Sequence, residues 1–419
     1  MSAPTQLSQA APPPVPGAEQ PEPSNWLQKI IKRFFSPSVG TIALSIFLAL
    51  ILGALIVAIF DSDVQRTAGY LFAKPGDFLA EFWSAFSGFF TSLFRGAIFD
   101  YTQSNAALAI RPLTETLTRA VPLIIAGLAI AVAFTGGLFN IGVQGQLILG
   151  ATFAAWVALQ VPVPGMLRLL LAVIAAIIGG ALWGFIPGIL KAKLGANEVI
   201  VTIMLNSIAV FLIQWLLKKK TFIGNGGTPG KSSRIGRDVV YPQLFGPQFR
   251  IHWGFVIALL AAVGVWWLLS RSTFGFALRA AGANPEAAKT AGINVPRVLL
   301  MTMIISGALA GLAGTAPVIG TDRVLTNGVA GSLGFDAITV ALLGKSSPLG
   351  VVLAGTLFGA LNAGSSLMQS SAGIPVDIVQ ITQAIIVLLI AASEAVRYRK
   401  ETKKVAAVTA TATTEGASA

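Results

Sequence analysis

Nine predominantly apolar stretches recur along this chain, at 39–60, 112–134, 143–161, 166–190, 199–217, 253–270, 298–320, 349–369 and 375–395. Each is close to the ~20 residues that an α-helix needs to cross a ~30 Å hydrocarbon layer. Lipid offers no water to backbone N–H and C=O groups, so a chain crosses it as helices or as a closed barrel. Barrel strands are only ~9–11 residues long, so stretches of this length mean helices. The fold class is therefore an all-α polytopic membrane protein. A tenth segment, 334–344, is too short to cross alone. It is expected as a partial crossing, tolerated at membrane depth only where other protein or a cavity covers it. Residues 76–99 are apolar but interrupted by Glu81, Arg95 and several Ser and Gly, the pattern of an interfacial amphipathic helix.

Composition then removes several function classes. The chain has no cysteine, which excludes disulfides, thiolate metal sites and thiol nucleophiles together. Its one histidine, His252, cannot build a histidine metal site and is read as a structural residue at the interface, so neither metal nor cofactor is expected. The net charge of +12 is not interleaved with aromatic residues on a soluble domain, which argues against nucleic acid. Lys and Arg in such a protein act mainly as topology determinants. The basic flanks Lys29, Lys32, Arg33 and Arg397, Arg399, Lys400, Lys403, Lys404 place both ends in the cytoplasm once 334–344 counts as a crossing. Residues 1–25 and 405–419 lack the apolar pattern of a core and are expected to be disordered tails around a membrane domain over 39–398.

With that parity, the four passes from 112 to 217 and the four steps from 298 to 395 run in opposite senses. Inverted repeats of this kind are a transporter signature, with the solute path at the repeat interface. Close helix crossings are expected at Gly307 and Gly311, Ala310 and Gly314, and Gly355 and Gly359, each pair four residues apart.

Two stretches carry chemistry. In "GANPEAAKTAGI", 282–293, Asn284 is an N-cap, Pro285 fits the first helical position, Glu286 meets the positive end of the dipole and Gly292 permits a left-handed stop. With Ala287, Ala288 and Ala291 the result is a short low-profile helix suited to a groove on another protein. The second is "FNIGVQGQ", 139–146, which sets uncharged amides between apolar runs. Gly136 and Gly137 can end one helix, Asn140 can cap the next, and Gly142 and Gly145 allow close backbone approach. Amides in such a broken helix either hydrogen-bond a neutral, hydroxyl-rich solute or join helix to helix. Asn140, Gln144, Gln146 and Asn206 are the candidate pathway residues; Asn362, Gln380 and Gln383 are expected between helices. Arg119 is expected to snorkel or to pair with Glu115, and Asn197 and Glu198 to cap a helix.

Asn284, Pro285, Glu286, Ala287, Ala288 and Gly292 resemble the EAA loop by which permeases of ATP-binding-cassette importers engage their ATPase. "GLFNIGVQGQLILGA" (137–151), "LGANEVIVTIMLNSIA" (194–209) and "GFDAITVALLGKSSPLGVVLAGTLFGAL" (334–361) resemble the permease branch serving branched-chain amino acids, simple sugars and nucleosides, best its nucleoside and simple-sugar members. The usual form there has Glu where this chain has Gln144. The resemblance covers roughly 110–395. It implies a membrane subunit without covalent catalysis, a cytosolic ABC ATPase subunit, an extracytoplasmic substrate-binding protein and a second permease subunit, a heterodimer being favoured. No GxxxxGK[ST] phosphate loop occurs in the chain, in keeping with ATP chemistry on a separate subunit. The competing class, an ion-coupled secondary transporter, wants carboxylates or histidines inside the membrane. Here only Glu115, Asp336 and Asp377 stand at or near span borders. An intramembrane enzyme lacks paired acids and a histidine partner.

Overall fold

The structure, a computed structural model, describes residues 37–224 and 227–393. The expected tails and the basic flanks that set the orientation lie outside the described residues. The principal helices are α1 (Pro37–Phe60), α2 (Ser62–Ala68), α3 (Pro75–Ala97), α4 (Ala106–Thr135), α5 (Val143–Gln160), α6 (Gly165–Leu194), α7 (Glu198–Leu216), α8 (Gly254–Arg271), α9 (Thr273–Ala283), α10 (Pro285–Thr290), α11 (Val295–Ala313), α12 (Leu333–Leu343), α13 (Pro348–Ala372) and α14 (Val376–Ser393). The described residues contain no strand, only two isolated bridges, Lys231 to Thr326 and Gln243 to His252.

Among the described residues, eight helices are long and apolar enough to cross a membrane. The ninth expected pass is α5, 18 residues starting on the polar turn that holds Gln144 and Gln146. Those amides lower its hydropathy, and neighbours bury it along nearly its whole length. The short segment expected at 334–344 is α12, and protein covers it as anticipated. α4 is the mast of the bundle: 83% of its most apolar window is buried, against 22% for α8 at the periphery.

The 76–99 segment is α3, packed along α13 and α1, with Gly96 against Gly364. Phe89, Ser92 and Gly96 face inward, while Leu79, Trp83 and Phe94 are exposed. Arg95, which interrupted the apolar pattern, has a partner: its Nε lies 2.9 Å from Asp100 Oδ1. The guanidinium, aided by hydrogen bonds from Thr102 and Gln103, holds the Asp100 carboxyl well below the usual carboxylate range.

The packing of α4–α7 against α11–α14 is reciprocal. α4 packs on α13 as α6 packs on α11; α4 meets α12 as α5 meets α11; α4 touches α11 and α5 touches α12. Two four-helix units of opposite sense, exchanging equivalent contacts, account for this pattern. Small residues make the crossings close. Gly307 and Gly311 on α11 sit against Gly180 backbone on α6, Gly150 on α5 also meets Gly311, and Gly355 and Gly359 on α13 lie over Ile124 and Ala120 on α4. In lipid, hydrophobicity gives neighbouring helices no preference for one another, so van der Waals fit at such crossings carries the association. The sequence pairs were expected on α11 and α13; their partner stripe on α6, Gly180 and Gly184, was not.

One end of the bundle is covered by the described residues of 217–224 and 227–253. This cap pairs with the π-helical turn Ala316–Thr321 and the segment after it, through Tyr241 N–H to Ile319 O (2.9 Å), Ile235 N–H to Arg323 O (2.8 Å) and Ser232 N–H to Leu325 O (2.8 Å). His252 is buried there as a structural residue. Its ring stacks on Tyr241, and its Nδ1 accepts from Gly254 N–H at 3.1 Å. Burial pushes its pKa down to about 4.

Substitutions should separate the close crossings from the open periphery. An added Cβ at Gly180 runs into Gly307 backbone, so Gly180→Ala should cost ~1–3 kcal/mol of overpacking. Gly264→Ala on α8, with nothing within 4 Å, should be neutral or stabilise by up to ~1 kcal/mol; detergent melting temperatures distinguish the two. His252 stays neutral when folded down to about 4, whereas the unfolded ring takes a proton near 6.5. Stability is therefore complete above that upper value and falls as pH drops through the window between the two. A melting curve measured against pH should show this fall, and His252→Gln should reduce it.

Candidate functional site

The break between α4 and α5 is built by local geometry first. Gly136 closes α4 by donating to Val132 O and Ala133 O, and Gly137 takes φ +71°, a left-handed turn that glycine adopts without strain. The chain then runs without helix to Val143. Freed N–H and C=O groups at this depth need partners other than water, and the amides supply them. Asn140 Oδ1 accepts from Gly142 N–H (2.9 Å) and Gln146 Nε2 (3.3 Å). Asn140 Nδ2 donates to Gln146 Oε1 (3.0 Å) and to Ser306 Oγ (2.8 Å) on α11. Asn206, reaching across from α7, accepts from Gly145 N–H (2.8 Å) and donates to Ile141 O (3.0 Å). Gln144 clasps the segment leading into α12: its Nε2 donates to Gly331 O (2.7 Å) and its Oε1 accepts from Gly334 N–H (2.8 Å).

All four candidate pathway residues are thus brought together, buried and partnered within the protein. Asn140 has both amide hydrogens and both oxygen lone pairs engaged. Gln144 and Asn206 each retain one N–H. The helix cap differs from expectation. Gly142 occupies the N-cap of α5 without a side-chain bond, because Asn140 turns back to the Gly142 N–H and the first-turn donor of Gly145 goes to Asn206 instead. Tertiary contact replaces the local cap. Ser306 was not singled out from sequence; its place beside Gly307 in a small-residue stripe is the signal that could have found it. Trp183 Nε1 is buried beside Gly145 without a hydrogen-bond partner.

Of the other expected polar contacts, those of Arg119, Asn197, Asn362 and Gln383 form as read, whereas Glu198 makes an ion pair instead of a cap and Gln380 is exposed. Arg119 Nε meets Glu115 Oε1 at 2.9 Å, Asn197 caps α7 through Val199 and Ile200 N–H, and Glu198 pairs with Lys191 at 2.8 Å. Gln383 Nε2 donates to Asn362 Oδ1 at 3.3 Å.

The second stretch forms a pair of short helices. α9 begins at a Ser272 cap (Gly275 N–H to Oγ, 2.8 Å) and runs on to Ala283, so the 282–293 stretch opens on the end of α9; α10 then starts at Pro285 behind the Asn284 cap, as read from the sequence. Asn284 accepts from Glu286 and Ala287 N–H at 3.0 and 3.1 Å, and Gly292 takes φ +83°. Ala288 faces inward; Pro285, Glu286, Ala287, Lys289 and Ala291 are exposed. Gly282 lies directly on the backbone of Thr135 and Gly136, where no side chain fits. The exposed loop therefore rests on the same turn that opens the amide segment.

This arrangement makes a pH-dependent prediction. Glu at 144 can accept from Gly334 N–H, but it donates to Gly331 O only when protonated. Gln144→Glu should melt close to wild type at acidic pH and fall behind by ~1–3 kcal/mol above neutrality, the cost of a buried acceptor left unpaired. A gap that does not change with pH overturns the role given to the Gly331 bond.

Residues 113–392 match the family model described as "Branched-chain amino acid transport system / permease component". The guanosine ABC transporter permease protein NupP of Bacillus subtilis is 43% identical over 289 residues, covering 68% of this chain and 82% of that protein. The glucose ABC transporter permease protein TsgB13 of Haloferax volcanii is 38% identical over 291 residues, 67% of this chain and 76% of that protein. The nucleoside ABC transporter permease protein NupB of Lactococcus lactis is 37% identical over 305 residues, 68% of this chain and 81% of that protein. With its eight membrane-length helices, the chain is a multi-pass plasma-membrane protein whose work is transport, and it belongs to the branched-chain amino acid transport system permease family as the permease subunit of an ABC importer.

Proposed function

We propose that this subunit moves nucleosides or simple sugars into the cell. The observation that carries this is similarity, over about two thirds of the chain, to permeases named for guanosine, nucleosides and glucose. A separate cytosolic ABC ATPase supplies the energy, and an extracytoplasmic substrate-binding protein delivers the solute. A second permease subunit completes the pore, and a different chain is favoured over a second copy. The ATPase docks on α10. Its support is an exposed, capped, low-profile helix that directly follows α9, whose Gly282 lies on the turn where α4 ends, so that a push on the loop reaches the amide joint through that backbone contact. The amides Asn140, Gln144, Gln146 and Asn206 hold the broken segment at the pathway. Their completed bonds favour positioning over direct solvation of the solute. The ion-coupled alternative gains nothing, because the buried polar groups at this joint are amides and a hydroxyl that do not titrate.

Reconstitution with the ATPase and the binding protein tests the proposal. Uptake of guanosine, uridine, ribose and glucose is measured with hydrolysable ATP, with a non-hydrolysable analogue, and with ion gradients collapsed. Uptake lost only with the gradients would refute it. Within the same system, Glu286→Lys changes the α10 N-terminus by only ~0.3–1 kcal/mol. Membrane insertion should therefore remain normal while ATPase association and uptake fall together. Wild-type coupling in this variant would remove α10 from the docking surface.

A further inference from the structure

A cavity of about 510 Å³ opens at the end of the bundle opposite the α9–α10 loop. Its walls come from α4, α13, Arg250 of the cap, the π-helical turn, the segment that follows it and the first turn of α12. That volume lies within the ~300–1,000 Å³ usual for small-molecule sites. Glu115, on its wall, is some twenty residues from Thr135, roughly 30 Å along α4.

The cavity's charged groups are organised. Glu115 Oε1 accepts from Arg119 Nε at 2.9 Å and from Arg250 Nη1 at 3.1 Å, and Arg119 Nη1 also donates to Asn362 O at 2.7 Å. One carboxylate thereby ties α4 to the cap, and its arginine ties α4 to α13. Both guanidinia are engaged by this network. Asp322 and Asp336 line the same space without an ion pair among the described residues. Each accepts from a neighbouring hydroxyl, Thr321 at 2.9 Å and Ser332 at 2.7 Å, and retains free lone pairs. Thr118 adds a further hydroxyl to the wall. Three carboxylates against two committed guanidinia accept hydroxyl hydrogens well and disfavour an added anion. Gly331, Ser332 and Leu333 also line the cavity, and the Gln144 clasp on Gly331 and Gly334 fixes this segment.

We propose that this cavity is a seat for the transported solute within the subunit. It takes a neutral molecule with vicinal hydroxyls, excludes the phosphorylated form, and has the Gln144-clasped segment as part of its wall. The inference rests on the permease function above and adds a place and a charge rule to it. A carboxylate that accepts two adjacent hydroxyls binds a sugar ring or a ribose moiety, whereas a phosphate meets three carboxylates and two guanidinia already drawn to Glu115.

The absence of cysteine makes the test direct. Ser332→Cys and Thr321→Cys each place one thiol on the wall, and Ser370→Cys places a control on the exposed part of α13. The purified permease in nanodiscs is treated with a membrane-impermeant methanethiosulfonate reagent. Guanosine or ribose should slow modification at 332 or 321 several-fold, while guanosine monophosphate or ribose 5-phosphate should not, and 370 should respond to none of them. In the reconstituted importer, modification at either wall position should lower uptake about tenfold and at 370 leave it unchanged. Having two wall positions keeps the test decisive if one variant misfolds. Absence of protection by every neutral solute, or equal protection by the phosphate esters, overturns the inference whatever the transport assay gives. Failure of ATP-dependent uptake by the unmodified protein counts instead against the permease function, so the two failures are read separately.

Discussion

A helix interrupted inside a bundle frees N–H and C=O groups that neither lipid nor a dry interior can satisfy, at ~1–3 kcal/mol for each group left unpaired. At the α4–α5 break Asn140 and Asn206 meet that requirement with neutral side chains, Gln146 braces Asn140, and Gln144 does the same work at the start of α12. Each bond runs to a different neighbour: Asn140 to α11, Asn206 from α7, Gln144 to the entry of α12. Satisfying one break therefore positions three other elements. A charged group in the same place could only accept, as a carboxylate, or only donate, as a cation, and would carry a far larger desolvation cost.

Backbone proximity does the complementary work. Where Gly180 meets Gly307 and Gly150 meets Gly311, two helices approach until only hydrogen separates them, and α11 is locked between α5 and α6. α11 carries both this contact and Ser306, so the joint and the helix crossing share one element. The same kind of contact links Gly282 to the end of α4. A displacement at the α9–α10 loop reaches Gly137, and through the amide turn and Gln144 it reaches Gly331 at the cavity. The series begins with backbone on backbone at Gly282 and continues through side-chain hydrogen bonds of the amide turn, a connected set of contacts running from one end of the subunit to the other.

Much of the fold was readable in the chain because lipid imposes a length rule. Stretches such as 166–190 and 349–369 have to be helices, and Asn197 and Asn284 had to cap the helices that begin just after them. The two-unit arrangement was readable as parity, and the importer family from separate matching motifs. The cap at Asn140 was not, since a side chain six residues from Gln146 and 166 from Ser306 has competing partners that only the folded chain ranks. α9 was missed for a related reason: its register depends on Leu278 and Gly282 packing against Gly136, a long-range contact without local signature.

The sequence by itself determined the solvent of this protein, the places of its membrane-length helices, the short helix at α10 and the absence of thiol and histidine-metal chemistry, because these depend on local composition and on properties of the peptide group. Tertiary structure decided which amides meet, which glycine stripe on α6 receives α11, and how Glu115, Arg119, Arg250, Asp322 and Asp336 come to surround one cavity. Those residues are separated by up to some two hundred positions. Their charges acquire a common meaning only when α4, the cap and the approach to α12 converge, and that convergence is set by packing between helices whose outward-facing apolar surfaces are alike to lipid.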